Sequence, residues 1–368
     1  MISKALVVGA YHKKLEELAR LGVEVHLVVP ISWGSLTLEV KDGDGYTIYP
    51  LRIIFNGHNH LHFYVGLSEV IGKIKPDIIH IDEEYYSIVT FQAMRLARKF
   101  GAKALFFTWQ NIYKGYPFPF SYIEQYNFRG ACVAIAGNEE ARDVLIKKGF
   151  NKEIAVIPQF GVNPDMFQKL DSFELRSTIS IKKHDFIIGY VGRLVKEKGI
   201  LVLIDAVSRL RGEVSLLLIG SGLLKREILG KAKKLGIEDR VKIIDHVPSM
   251  NVPQYLSCFD CLVLPSLTRP NWKEQFGRVL IEAMACEVPV IGSNSGEIPN
   301  VIGDAGLIFK EGDPDDLASK IKVLINDESL RIELAKKGRQ RVLENFTQKR
   351  VAEETYKVYK KMIAGNEQ

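Results

Sequence analysis

FIIGYVGRLVKEKGILVLIDAVSRLRGEVSLLLIGSG, residues 186–222, decides the fold. It opens on a β-branched apolar run at 186–191 and passes through Gly192, Arg193 and Lys198 into a helical stretch. A second apolar run, 214–219, follows and ends in a glycine turn. Strand, helix, strand in that order argues for a parallel sheet with crossover helices. Working outward, runs at 241–244, 261–264, 288–293 and 306–309 continue the series. An earlier series lies at 5–8, 23–29, 77–81, 103–107, 131–136 and 154–157, with helical spacing of apolar residues at 13–21 and 91–99. Residues 39–40 and 46–55 flank the turn signal DGDG and read as a β-hairpin at one edge of that sheet. Between the two series lies IPQFGVNPDMF, 157–167, rich in Pro, Gly and Asn. The chain therefore reads as α/β, with two doubly wound domains, residues 1–160 and 161–349. Ligands in such sheets sit at the carboxyl ends of the strands, and a cleft between two such edges is the expected active site.

Size agrees: 368 residues, 46% hydrophobic and 26% charged, exceed what one core usually organises. Residues 53–68 form the longest stretch without a formal charge, and it holds His58, His60 and His62, so it is no membrane span. Met1 leads straight into Lys4-Ala5-Leu6-Val7-Val8 without the pattern of a signal peptide, so a soluble, cytoplasmic protein is expected. The net charge of +6 is spread, with 18 basic and 16 acidic side chains in 1–160 and 32 and 28 in 161–368. Neither half is a basic arm, which argues against nucleic acid as a partner. Cys132, Cys258, Cys261 and Cys286 are too few and too scattered for a disulfide framework.

The chemistry concentrates in EQFGRVLIEAMACEVPVIGSNSGEIP, residues 274–299. Phe276-Gly277 opens a helix between Glu274 and Glu282. Gly277 lets a ligand approach the backbone, and Arg278 begins a helix whose N-terminus offers N–H groups to an anion. Glu282, inside that helix, can accept the vicinal hydroxyls of a ribose, while Glu274 reaches another part of the same ligand. Ordinary surface glutamates are the plainer reading, but the FG turn and the Val-Pro-Val-Ile run beside them favour a site. In GYVGRLVKEKG, 189–199, Arg193 and Lys198 follow a strand ending at Gly192, two cations suited to a diphosphate. LIGSG, 218–222, brings Gly220 and Gly222 to the next strand end, and His246 follows the strand at 241–244, where a nucleotide base would lie.

With these residues in view, the second half resembles the donor-binding domain of the retaining glycosyltransferases of family 4. The likeness runs through GRLVKEKG, LIGSG, Leu264-Pro265-Ser266, the Glu274/Glu282 pair and Gly296-Glu297-Ile298-Pro299. The first half is similar more loosely, through ARLGVEVHLVVP, KPDIIHI and AGNEEARDVLIKKG. The resemblance implies the GT-B fold, two Rossmann-like domains facing across a cleft, with residues 350–368 returning to the first domain. It implies that Arg193 and Lys198 hold the donor diphosphate, Glu274 the donor sugar and Glu282 the ribose. A sugar would pass from a nucleotide diphosphate sugar to an acceptor hydroxyl, with retention, no cofactor and no metal, the departing phosphate helping to deprotonate a carbohydrate or lipid-linked acceptor. Two departures concern the first domain. Gly9-Ala10-Tyr11-His12 stands where many relatives have a glycine pair, and Thr108-Trp109-Gln110-Asn111 where many have a histidine. The acceptor-side candidates there are His80, Glu83, Glu84, Gln110 and Asn111.

Other features read two ways. Cys258 and Cys261 have redox or half-zinc spacing, but no second pair or histidine completes a site, so core packing is expected. His58, His60 and His62 alternate in a loop, which does not converge three rings on a metal. The aromatic run 113–126 with Trp109 is an acceptor wall or interface packing. The terminal segment 350–363 places Val351, Thr355, Val358, Tyr359 and Met362 on one helical face and Lys357, Lys360 and Lys361 on the other. It is a docked helix or a peripheral contact with the inner face of a membrane. A nucleotide-sugar epimerase of the same architecture and an inactive nucleotide-sugar-binding regulator are the rival functions.

Overall fold

A computed structural model of the chain describes all residues except 41, 180, 183 and 365–368. The chain divides into two compact units, Met1–Gly161 with Gln348–Gln368, and Val162–Thr347.

In the first unit the strands are β1 (Val25–Pro30), β2 (Tyr46–Leu51), β3 (Ile78–Ile81), β4 (Lys103–Thr108), β5 (Val133–Ala136) and β6 (Glu153–Val156). All pair in parallel, β1 with β2 and β3 through β6 in sequence. The two groups are joined at Ile2, which bridges both Val28 and Ile81. Residues 1–3 thus act as the central strand: Ile2 N–H donates to the His80 carbonyl at 2.8 Å and Ser3 N–H to that of Val28 at 3.1 Å. The sheet order is β2, β1, residues 1–3, β3, β4, β5, β6, the reversal at the centre that defines a doubly wound sheet.

Two expectations fail here. Residues 5–8 are not a strand; Ala5–Val7 and Gly9–Tyr11 are single 3₁₀ turns. The cause is local polar pinning: the buried His12 ring bonds the Leu6 carbonyl at 2.6 Å and the Tyr46 hydroxyl at 2.5 Å. Glu39 ties the same loop, accepting from Gly9 N–H at 2.7 Å. Among the described residues the hairpin expected over 39–55 does not form either, since β2 pairs in parallel with β1. Residues 46–51 serve the main sheet, and among the described residues the short antiparallel ladders are Ser32–Trp33 with Leu36–Thr37 and Ile53–Ile54 with Phe63–Tyr64.

Helices α1 (Lys13–Arg20), α2 (Leu67–Ile74), α3 (Ile88–Phe100), α4 (Phe120–Gly130) and α5 (Glu139–Lys147) belong to this unit. Ser87 caps α3, and Asn138 caps α5 through Ala141 N–H at 2.7 Å. The terminal helix, Gln348–Ala364, returns here and packs against α1. It buries Val351, Ala352, Thr355, Val358 and Met362. Its apolar face is therefore used up inside the unit, and no helix among the described residues is long and apolar enough to cross a membrane.

The second unit carries a six-stranded parallel sheet of β7 (Phe186–Val191), β8 (Val214–Ile219), β9 (Val241–Ile244), β10 (Cys261–Leu264), β11 (Val290–Ser293) and β12 (Gly306–Phe309). Its order is β9-β8-β7-β10-β11-β12. Five of the six match the strands expected from sequence, and β11 starts two residues late: Val288 N–H still closes the turn after α8 on the Ala283 carbonyl at 3.0 Å, and Pro289 has no N–H to give the ladder. Helices α6 (Ile200–Ser208), α7 (Lys225–Lys234), α8 (Arg278–Ala285), α9 (Pro314–Asn326) and α10 (Glu328–Asn345) surround it. Strands β8 and β10 are buried along their whole length, as a sheet covered on both faces requires.

Candidate active site

In the second unit the carboxyl ends of β7, β8, β10 and β11 gather four loops. Beyond β7 and β8 the backbones stay paired: Gly192 N–H donates to the Ile219 carbonyl at 2.9 Å and Leu194 N–H to that of Ser221 at 2.9 Å. Gly220 makes this approach feasible. Its φ is +141°, and a Cβ there would lie 1.9 Å from the Gly192 carbonyl oxygen. Gly192, Arg193, Gly220 and Gly222 are thereby brought into one surface.

Lys198 and Glu274 meet directly. Lys198 Nζ lies 2.6 Å from Glu274 Oε2, and Ser266 Oγ donates to the same oxygen at 2.7 Å. Glu274 is 7% exposed, so this carboxylate is held by hydrogen-bonded neighbours and not by water. The loop after β11 closes over its backbone: Glu297 N–H donates to the Glu274 carbonyl at 3.1 Å. Gly296, at φ +52°, is needed for this, since a Cβ would stand 2.0 Å from that carbonyl oxygen. Arg193 is different. Its side chain is 69% exposed, with Glu197 Oε1 4.0 Å from its Nη2.

Gly277 is the N-cap of α8 in the left-handed conformation, and the helix starts at Arg278. Phe276 turns its ring inward against Phe346, at 5.8 Å between centroids, and is buried. Arg278 Nε lies 2.8 Å from Glu282 Oε1, one turn along α8. Burial raises the Glu282 carboxyl above the ordinary glutamate value, and Arg278 opposes that shift without cancelling it. His246 is exposed in the loop after β9, two residues beyond Ile244, whose carbonyl accepts from Gly220 N–H at 2.8 Å.

In the first unit the carboxyl edge gathers Lys4, Glu83, Glu84, Thr108 and residues 109–111. Glu84 is fully engaged: Thr108 Oγ1 donates at 2.6 Å and Trp109 N–H at 2.9 Å, and burial still raises its carboxyl. It shapes the loop that carries Gln110 and Asn111. Gln110 bonds the Tyr85 hydroxyl and the Ile112 carbonyl, and Asn111 donates to Glu140 at 3.1 Å. His80 is not at this edge. It sits within β3 with Nδ1 2.6 Å from the Tyr359 hydroxyl, and burial drives its pKa well below the usual histidine value.

Two groupings form that no sequence motif names. Lys4 pairs with Glu83, with His62 Nε2 3.7 Å away. Burial raises Glu83, yet Lys4 and His62 outweigh it and hold the carboxyl below its ordinary value. Trp272 lies over Lys198, and its position two residues before Glu274 was the available signal. The alternating histidines diverge: His60 stacks on Tyr86 at 4.9 Å and His62 packs edge-on to Trp33 at 4.7 Å. Among the described residues no three His, Cys, Asp or Glu side chains gather as a metal group. Cys258 and Cys261 are free and buried, and burial pushes both thiols up.

Two family descriptions match the chain, Glycosyltransferase Family 4 over residues 12–165 and Glycosyl transferases group 1 over 171–341. The capsular polysaccharide biosynthesis glycosyltransferase CapM of Staphylococcus aureus is 29% identical over 371 residues, covering 96% of this chain and 94% of that protein. N-acetyl-alpha-D-glucosaminyl L-malate synthase of Bacillus anthracis is 32% identical over 213 residues, 57% of this chain and 54% of the synthase. Among solved structures, HepE of Anabaena in complex with UDP superposes with a TM-score of 0.75 at 17% identity, covering 98% of both chains.

Proposed function

The chain belongs to the group 1 and family 4 glycosyltransferases, with the GT-B fold, and from that premise we propose that it is a retaining, metal-independent enzyme whose second unit holds the donor. It transfers a sugar from a nucleotide sugar. The observation that carries the finer reading is the joining of Lys198, Glu274 and Ser266 beside the paired loops of Gly192 and Gly220. An ammonium, an exposed guanidinium and the start of α8 at one sheet edge suit a diphosphate.

In this reading Arg193 and Lys198 take the diphosphate, Glu274 a hydroxyl of the sugar and Glu282 the ribose. The buried Phe276 ring leaves its backbone and Gly277 to face the ligand. His246 stands where the base would lie. The bond from the anomeric carbon to the phosphate oxygen breaks as the acceptor oxygen bonds the same carbon from the same face. The acceptor proton passes to the leaving phosphate, whose growing charge Arg193 and Lys198 stabilise; groups in such a role are typically worth roughly 10²–10³ in rate. The acceptor is a carbohydrate or lipid-linked hydroxyl, the carbohydrate being the part that the name of the capsular polysaccharide relative supports.

Calorimetry with UDP, GDP and ADP identifies the nucleotide, and NMR of the product made from the matching sugar nucleotide gives its anomeric configuration. Retention is expected, with turnover unchanged in EDTA. Inversion would overturn the mechanism, and loss in EDTA restored by magnesium or manganese would overturn metal independence. Epimer without glycoside, or binding without turnover, would move the protein to the rival functions.

A further inference from the structure

Residues 267–273 form an excursion between Ser266 and Glu274, both of which belong to the site. Its base is anchored: Leu267 N–H donates to the Glu197 carbonyl at 2.8 Å, next to Lys198, and Thr268 N–H donates to Glu311 at 2.6 Å. Its tip is a tight turn in which Arg269 N–H and the Trp272 carbonyl pair at 2.7 Å, with the reciprocal bond at 3.2 Å. The tip residues 269–271 are exposed, yet Trp272 folds back and sets its ring 5.1 Å from Lys198 Nζ. The ammonium is thus held between an indole face and the Glu274 carboxylate, with 16% of the lysine side chain exposed.

We propose that Trp272 is a positioning residue for Lys198, an inference that rests on the donor reading above. A lysine is a flexible point charge, and freezing it costs rotamer entropy. An indole face attracts the ammonium without using any of its three N–H donors, so the charge is held in place and remains able to bond a diphosphate. A carboxylate alone would hold Lys198 through the same donors the ligand needs. Trp272 therefore keeps the cation aimed while the donor takes over from Glu274, which is then released to the sugar.

The test is a double-mutant cycle in the full chain, read as affinity for the nucleoside diphosphate that binds and as kcat and KM for its sugar. Trp272→Leu should weaken nucleotide binding about 2- to 30-fold, the span of cation–π contacts from exposed to desolvated sites. Trp272→Phe and Trp272→Tyr should restore most of it. In a Lys198→Met background, Trp272→Leu should change affinity by no more than about 2-fold, since the ring would have no cation to place. If the Trp272→Leu effect persists there at full size, the ring contacts ligand or merely supports the loop, and the inference fails while the donor reading stands. If Lys198→Met itself leaves binding and turnover unchanged, both fail together.

Discussion

Glu274 and Glu282 carry the same functional group in different surroundings, and those surroundings predict different failures. Glu274 is held by Lys198 and Ser266, whereas Glu282 faces Arg278 on its own helix. Glu274→Gln should leave affinity for the nucleoside diphosphate nearly intact and lower turnover, because in our reading only the sugar meets that carboxylate. Glu282→Gln should weaken nucleotide and sugar nucleotide alike, by roughly 10-fold for the loss of a charged hydrogen bond. Calorimetry beside a turnover assay separates them, and parental turnover in Glu274→Gln would remove the basis of the site. The raised carboxyl of Glu282 adds a pH signature. Its proton returns at a higher pH than in an ordinary glutamate, so nucleotide affinity should start to fall earlier on acidification, and Glu282→Gln should abolish that early fall. Stability runs the other way. A folded-state pKa above the unfolded value means that burying the charge costs stability at neutral pH, and the cost is relieved as pH drops through the native pKa. Chemical denaturation of ligand-free Glu282→Gln at pH 7 should therefore show no loss. Both glutamates, Arg193 and Lys198 stand out in the sequence as single candidates. That Lys198 grips Glu274 does not, because the pair is 76 residues apart and only the sheet order brings them together.

The second sheet was readable at the scale of elements because its strands are short apolar runs, most of them closed by Gly, Pro or a charge, and burial of β8, β10 and β11 on both faces writes that pattern plainly. The first sheet was harder. Its central strand is three residues long, and the more apolar run beside it, Ala5–Val7, is drawn into turns by the His12 ring. Tertiary hydrogen bonds overrode β-propensity there, whereas residues 46–51 kept their strand conformation but joined β1 in parallel instead of forming a hairpin. Loop pairing beyond the strands leads to a test at this scale. Gly220→Ala cannot keep φ near +141° or the approach to the Gly192 carbonyl without displacement. It should cost about 1–3 kcal/mol of stability by denaturant titration and weaken nucleotide binding. Gly230→Ala on exposed α7, where an added Cβ meets nothing within 4 Å, is the control and should be neutral or mildly stabilising. Equal behaviour of the two variants would mean that the paired loops do not shape the site.

Each unit has its own sheet, but the first is completed from the far end of the chain. Val351, Val358 and Met362 of the terminal helix pack with Leu105, Phe107, Val133 and Ile135 of β4 and β5, and Ala352 joins the core around α1 and β1. The lysines of its other face, Lys357, Lys360 and Lys361, are exposed. A helix so employed contributes to the stability of the first unit, while the donor site we propose is built from residues 192–297 of the second. Changes in the two should therefore be separable by location. Met362→Ala, which removes most of a buried side chain, should cost about 2 kcal/mol or more. It should speed amide hydrogen exchange in the terminal helix, α1 and β4, with little change in β7 to β12. A saturating nucleoside diphosphate should do the converse. At 100 times its dissociation constant it stabilises the unit that binds it by about 2.7 kcal/mol. Exchange should slow in residues 192–199, 219–224, 265–282 and 294–299, and only weakly at Gln110, Asn111 or the terminal helix. Hydrogen exchange read by mass spectrometry gives both patterns from the full chain. Protection centred on the first unit would transfer the nucleotide there and undo the division of labour proposed for the two sheets.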